Sequence, residues 1–333
     1  MKFYTGSYTK LGGAGITFGE INGNSFTLTG TYFLPNPIYL ILNRNKDRLY
    51  SVSYSNDETE NFADCFAVEK NGLQLLSRQK TIGVVPCHLC LSHDEKFLYT
   101  ANYRSGCISV FPVTENGIEP LIQHICHKGK SIEPERQAGP HVHHVSFLPG
   151  KSILCAVDLG LDALVMYNQN PKTGCLTFFD RLDTPAGLGP RHLVYGSNDM
   201  VYLNFELGNK AAVLKYRDGK WETLQMLPTL PEGYSGKSTT AAIRLSPDGK
   251  LLLVSNRGHD SIAVYDVSDD GLLSLRGIYP SGGCVPRDFI FADKNTLLIS
   301  HQEGALHLSS FDPAAGIVKI GELPLKGTVN ICL

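Results

Sequence analysis

The segment GPHVHHVSF, residues 139–147, places His141, His143 and His144 within four positions at the start of an alternating, strand-like run. Imidazoles at this density suit three things: proton transfer near neutral pH, metal ligation, or a solvated turn. Other residues able to do chemistry are scattered further along: Arg191 in GPRH, Glu206 in NFEL, Arg257 in SNRGHD and Arg287 in VPRDF. Arginine is always charged and forks onto carboxylate or phosphate, while histidine and glutamate move protons. These residues could act together only if the fold gathers them.

Composition narrows the possibilities. The chain has 333 residues, 42% of them hydrophobic, and a net charge of −2. No basic run marks a nucleic-acid surface, and no apolar run approaches the length of a membrane span. The opening MKFYTGSYTK carries no apolar stretch of the signal-peptide kind. Nine cysteines, scattered through strand-like segments, fit reduced and mostly buried thiols of a cytoplasmic protein. Cys87 and Cys90 in CHLC have the spacing of half a zinc ribbon or of a redox pair. No second pair follows at ribbon spacing and HLCLS reads as a strand, so both are taken as structural.

The positioning elements emerge from a repeat. HLCLSHDEKFLYTANYRSGCISVF (88–111), HVSFLPGKSILCAVDLGLDALVMY (144–167), AIRLSPDGKLLLVSNRGHDSIAVY (242–265) and DFIFADKNTLLISHQEGALHLSSF (288–311) share one pattern, strand, polar turn, strand, strand. Two more copies begin at Tyr39 and His192. The second strands end at Ser7, Ser53, Asn102, Asp158, Phe205, Asn256 and His301, a spacing of about 49 residues. Seven such units without helical periodicity imply an all-β, seven-bladed propeller over residues 1–333. The chain starts on a second strand, FYTGSY, and ends on a first strand, VNICL (329–333), which is expected to pair with the N-terminal blade and close the ring.

In a propeller the start of each first strand and the end of each second strand meet at one mouth of the central channel. Aligned on their apolar pattern, the first strands place Ile38, Cys87, Arg191, Ala241, Arg287 and Val329 with His143, and Tyr39, His88, His192, Ala242, Asp288 and Asn330 with His144. The second-strand ends bring Tyr8, Tyr54, Tyr103, Leu159, Glu206, Arg257 and Gln302 to the same mouth. His143, Glu206, Arg191 and Arg257 are therefore the candidate catalytic group, with Arg287, His88 and His192 on a small anionic ligand. Two long loops, 128–140 and 229–240, should overhang the mouth and add Arg136 and Lys237 to anion capture, with Lys130 a further candidate. His141 and His144 read as structural. His141 and His143 share a strand face as zinc ligands could, but the surrounding ring is cationic, so neither metal nor cofactor is expected.

At these residues the sequence resembles the propeller lactonase family, whose members include a bacterial 6-phosphogluconolactonase and a fungal carboxymuconate cyclase. The resemblance runs through PERQAGPHVHHVSF, GLGPRHLVY, SNRGHDSIAVY and VPRDFIFADKNTLLISHQEG. It implies a seven-bladed propeller, no metal requirement and chemistry on a lactone ester. It also implies that the family's active-site His, its Arg after Gly-Pro, its Glu and its Arg after Asn correspond to His143, Arg191, Glu206 and Arg257. The family's Asn-Glu-Leu string reads NFEL here, and the following strand begins about two residues late. The expected reaction is hydrolysis of 6-phosphoglucono-δ-lactone by a cytoplasmic monomer or small homo-oligomer. A lactone-forming cyclase and a non-catalytic binding propeller are the alternatives.

Overall fold

The computed structural model describes residues 1–217, 219–312 and 315–333. Short polar turns such as SPDGK and SHDEK punctuate runs of apolar and β-branched residues, and these runs form seven antiparallel sheets. Blade 2 is typical: Tyr39–Leu42, Arg48–Tyr54, Asn61–Glu69 and Gly72–Lys80. Blades 4 to 7 repeat it, starting at Val142–Phe147, Pro190–Tyr195, Thr239–Leu245 and Cys284–Asp293. In blade 3 the outer position is split between Gly117–Ile118 and Gln123–Cys126, both paired to Cys107–Thr114. The second strands are buried on both faces, as in Phe97–Asn102, because a neighbouring blade covers each side. The core is accordingly a set of seams between blades. Val157 and Leu164 of blade 4 meet Leu193 and Leu203 of blade 5, and Leu298 and Leu308 of blade 7 meet Phe3 and Ile331 of blade 1.

The ring closes as the sequence pattern requires. Thr328–Cys332 pairs antiparallel with Lys2–Ser7, in register Tyr4 with Cys332 and Thr5 with Ile331, and becomes the innermost strand of blade 1. Asn330 fastens it on both sides. Its carbonyl oxygen Oδ1 accepts from the Leu40 amide of blade 2 at 2.8 Å, and its Nδ2 donates to Asp288 of blade 7 at 3.0 Å. Asp288 also accepts from the Ile331 amide at 3.0 Å and from Arg244 of blade 6 at 2.8 Å.

The first strands of blades 3, 4, 5 and 7 share a departure from regular pairing. Pro86 and His88 oppose the adjacent residues Asn102 and Ala101, so Cys87 is an extra residue in the ladder. The same irregularity makes His143, Arg191 and Arg287 extra residues in blades 4, 5 and 7. A bulge breaks the two-residue alternation of a strand, so that neighbouring side chains need not face opposite ways.

One cysteine expectation fails. Cys107 and Cys126 are directly opposed on neighbouring strands and form a disulfide. Strand register brings the two together, which sequence separation does not reveal. Cys87 and Cys90 are both free thiols.

Deleting residues 328–333 should lower stability by about 4 kcal/mol or more, since Val329 and Ile331 alone bury side chains worth roughly 1.5–3 kcal/mol each. Asn330→Ala should cost about 1–3 kcal/mol by stranding the Leu40 amide and part of Asp288. Denaturant unfolding measures both, and an unchanged midpoint for the truncated chain would refute closure by this strand.

Candidate active site

One mouth of the channel holds a pocket of 290 Å³ lined by residues of all seven blades, among them Tyr8, Tyr54, Tyr103, Arg136, His143, Glu206, Arg257 and Arg287. Glu206 lies at its centre, just past the second strand of blade 5. Its backbone is fixed at both ends, the amide donating to Gly189 at 2.7 Å and the carbonyl accepting from Thr240 at 3.2 Å. Three guanidinium groups converge on its carboxylate. Arg136 Nη2 reaches Oε1 at 2.6 Å, while Arg191 Nε and Arg257 Nη2 reach Oε2 at 2.8 and 3.0 Å. The arginines are themselves oriented by oxygen acceptors: Ala241 O for Arg191, Thr240 O for Arg257 and the Tyr103 hydroxyl for Arg136.

His143 stands beside this cluster, its Nε2 3.9 Å from Glu206 Oε2 and its Nδ1 3.9 Å from Cys87 Sγ. Burial, followed by the nearby Arg191, holds its pKa well below the usual histidine value, so the ring is neutral at pH 7. Burial alone would raise the Glu206 carboxyl. Arg257, Arg191 and Arg136 overcome this and hold it well below the usual carboxylate range. The pocket thus offers a neutral imidazole next to a fixed carboxylate, within an excess of positive charge.

The loop at 128–140 contributes as expected through Arg136. Its fully buried Gln137 donates to Leu159 O at 2.8 Å and accepts from the Glu133 amide at 3.1 Å, which sets the loop over the mouth. His141 stacks on Tyr103 with ring centroids 4.5 Å apart and bonds the Tyr103 carbonyl at 2.9 Å, a supporting position. Arg287 lies over the Tyr8 ring and is bonded by Gln302 at 3.2 Å.

Four expected ligand contacts are corrected. Lys237 is exposed and does not line the pocket; from this end of the 229–240 loop only Thr239, where the strand begins, does so. Lys130 is likewise at the surface. His88 and His192 do not line it either. They pack in the channel with His144, with centroid separations of 4.1 to 5.2 Å, and His192 also touches His143 at 5.0 Å. The strand alignment identified His143 and His144 as two successive ring positions, but only the bulge explains why both reach the axis.

Among the described residues, these channel histidines are the group best placed to hold a metal. The ligand nitrogens of His88, His144 and His192 lie within 4.8 Å of one another, and neither ring nitrogen of His192 has a hydrogen-bond partner among the described residues. Arg191 and Arg244 act against a cation there, as they do against protonation of His144, where burial is the larger cause. A second group, Cys107, His124 and Cys126, has its two thiols joined in the disulfide.

Sequence reasoning missed Lys10, Glu58 and Arg104, which line the outer part of the pocket. They follow Tyr8, Tyr54 and Tyr103 by two, four and one residues, so extending the repeat alignment into the next turn would have found them.

Glu206→Gln should cost about 3 kcal/mol or more at pH 7, because three guanidinium groups lose their shared carboxylate. With its folded pKa depressed, Glu206 contributes stability above the unfolded carboxylate pKa and loses it as pH falls through the lower folded value. The gap between wild type and variant should therefore shrink in strong acid. Denaturant unfolding at pH 7 and in acid checks this, and a constant gap would contradict it.

Comparison with known proteins agrees with this architecture. A family model described as lactonase, 7-bladed beta-propeller matches residues 2–323. A 6-phosphogluconolactonase from Bacillus subtilis is 34% identical over 319 residues, covering 93% of this chain and 90% of that one. A crystal structure of a putative 6-phosphogluconolactonase from Bacteroides fragilis superposes with a TM-score of 0.92 at 30% identity, covering 99% of this chain and 97% of that one. The periplasmic gluconolactonase of Pseudomonas aeruginosa also gives 0.92, at 27% identity, with 99% and 98% covered. From the family match and this degree of identity over nearly its whole length, the chain belongs to the lactonase family of seven-bladed β-propellers.

Proposed function

We propose that this protein is a metal-independent carboxylic ester hydrolase that opens a sugar lactone, with 6-phosphoglucono-δ-lactone as its substrate. The observation that carries this reading is the neutral His143 imidazole facing the Glu206 carboxylate in an arginine-lined pocket. In the proposed step His143 takes a proton from water as the oxygen attacks the lactone carbonyl. Arg257, with the buried Arg191 behind it, stabilises the tetrahedral oxyanion. Collapse breaks the ring ester bond, and the imidazolium returns its proton to the departing ring oxygen. Glu206 steadies the imidazolium between these events. Its depressed pKa and occupied oxygens make it a poor base, which favours His143 for that role.

Arg287, which has no carboxylate partner among the described residues, is proposed to hold the substrate phosphate. A phosphorylated substrate would place the protein in the cytoplasm, a compartment in which the Cys107–Cys126 disulfide would be unusual. Each ring holds a complete pocket, so no partner chain is needed for the chemistry. A lactone-forming cyclase acting on a polycarboxylate would use the same arginines, and the substrate tests below distinguish it.

His143→Ala should lower kcat by about 10²–10⁴-fold with a smaller change in KM. Arg287→Ala should mainly raise KM for the phosphorylated lactone, and Arg191→Lys should be harmful despite equal charge because the planar fork is lost. With the base pKa held below 6.5, kcat/KM should stay level from neutral pH down past 6.5 and fall only in more acid solution. Initial rates corrected for spontaneous opening measure these effects. Full kcat in His143→Ala with loss in Glu206→Gln would transfer the base role to Glu206. Indifference to both changes would favour a binding propeller.

Incubation with a strong chelator should leave turnover intact, since the proposed base needs no metal to activate water. Loss of activity restored by zinc would instead assign a role to the channel histidines.

A further inference from the structure

Between Tyr54 and the pocket mouth the structure holds an unusual arrangement of charge. Glu58 lies between two cations from flanking blades, with Lys10 Nζ at 3.2 Å from Oε1 and Arg104 Nη2 at 2.9 Å from Oε2. All three side chains line the same pocket as His143 and Glu206. The Lys10 ammonium also lies over the Tyr8 and Tyr54 rings, at 5.6 and 5.3 Å from their centroids, and the Arg287 guanidinium lies over Tyr8 at 5.4 Å. Two tyrosine rings thus join the Glu58 cluster to Arg287.

The cluster is built. Glu58 has a φ of +63°, a left-handed conformation unfavourable for its residue type. The turn that imposes it is held by Asp57, which accepts from the Ser55 hydroxyl at 2.5 Å and from the Thr59 hydroxyl at 2.9 Å, and by the Glu58 amide donating to Ser55 O at 2.9 Å. The Lys10 turn is tied to it through the fully buried Asn36. Asn36 accepts from the Lys10 amide at 3.3 Å and donates to Asn56 Oδ1 at 3.0 Å and to Tyr54 O at 3.0 Å. Lys10 and Glu58 therefore sit on two loops fixed to one buried side chain. Glu58 keeps a fifth of its side chain exposed, so its carboxylate borders solvent.

We propose that Lys10 and Arg104 form the outer part of a phosphate subsite shared with Arg287, and that Glu58 is an internal competitor occupying it in the free protein. This rests on the lactonase reading for its substrate and deepens it. A phosphate monoester carries about −1.5 to −2 charge near pH 7 and three acceptor oxygens. A side-chain carboxylate carries −1 and two. A phosphate arriving at the tyrosine platform gains more from the two cations than Glu58 does, and displaces it. A neutral sugar lactone gains nothing from them and leaves Glu58 in place. The pocket would thereby select for an anionic substituent remote from the reacting ester.

The test pairs a binding assay with kinetics on the full-length protein. Calorimetric titration with inorganic phosphate should show about three- to tenfold tighter binding to Glu58→Gln, the scale expected from releasing two partly exposed ion pairs. It should show weaker binding to Lys10→Ala and Arg104→Ala by a similar factor. The ratio of KM for unphosphorylated to phosphorylated gluconolactone should rise in Glu58→Gln and fall in the other two. If Glu58→Gln leaves phosphate affinity and the KM ratio at wild-type values, or weakens binding, the competitor role is refuted. If the affinities shift as expected while no variant and no wild type opens either lactone, the subsite stands and the lactonase reading falls.

Discussion

The pairing of the last strand with the first governs everything else in this molecule. Seven blades contribute to one pocket, and their contributions converge only while the ring is shut. Thr328–Cys332 supplies the innermost strand of blade 1, and Asn330 bonds to blades 2 and 7 at once. Without that strand the seam between Phe3 and Leu298 would open to water, as would a sheet edge. Asp288 and Asn330 are buried and Arg244 is half-buried; Asp288 accepts from both of the others, so it depends on them for its hydrogen bonds.

Within the closed ring, bulges aim the side chains. On a regular strand His143 and His144 would face opposite sides. The extra residue in the ladder lets both reach the axis, one at the pocket and one in the channel below. The same device turns Arg191, Arg287 and Cys87. A repeated backbone irregularity thus gives the similar first strands of blades 3, 4, 5 and 7 a place to carry dissimilar residues.

Electrostatics then assigns characters to those residues. Three arginines share one glutamate, which leaves the mouth with an excess of positive charge suited to an anionic ligand. That excess and burial together keep His143 unprotonated. A histidine with an ordinary pKa would spend part of its time charged near neutrality, whereas this one is available to accept a proton.

Much of this was legible in the sequence, because a repeat writes its period directly into the chain. The 49-residue spacing of second-strand ends marks seven repeats, and VNICL (329–333) reads as a first strand able to pair with FYTGSY. Symmetry then identifies His143, Arg191, Glu206, Arg257 and Arg287 as neighbours despite their separation. What the period could not carry is anything that differs between equivalent positions. Depth along the axis depends on bulges, so His88 and His192 were placed at the mouth when they lie beneath it. Loop conformation depends on contacts such as those of Gln137 and Asn36, so Lys237 was placed over the pocket, and Lys10, Glu58 and Arg104 were overlooked. The Cys107–Cys126 bond depends on the register of one outer strand. Periodicity fixes which strands are equivalent; tertiary packing decides how far each side chain reaches and what charge it meets there.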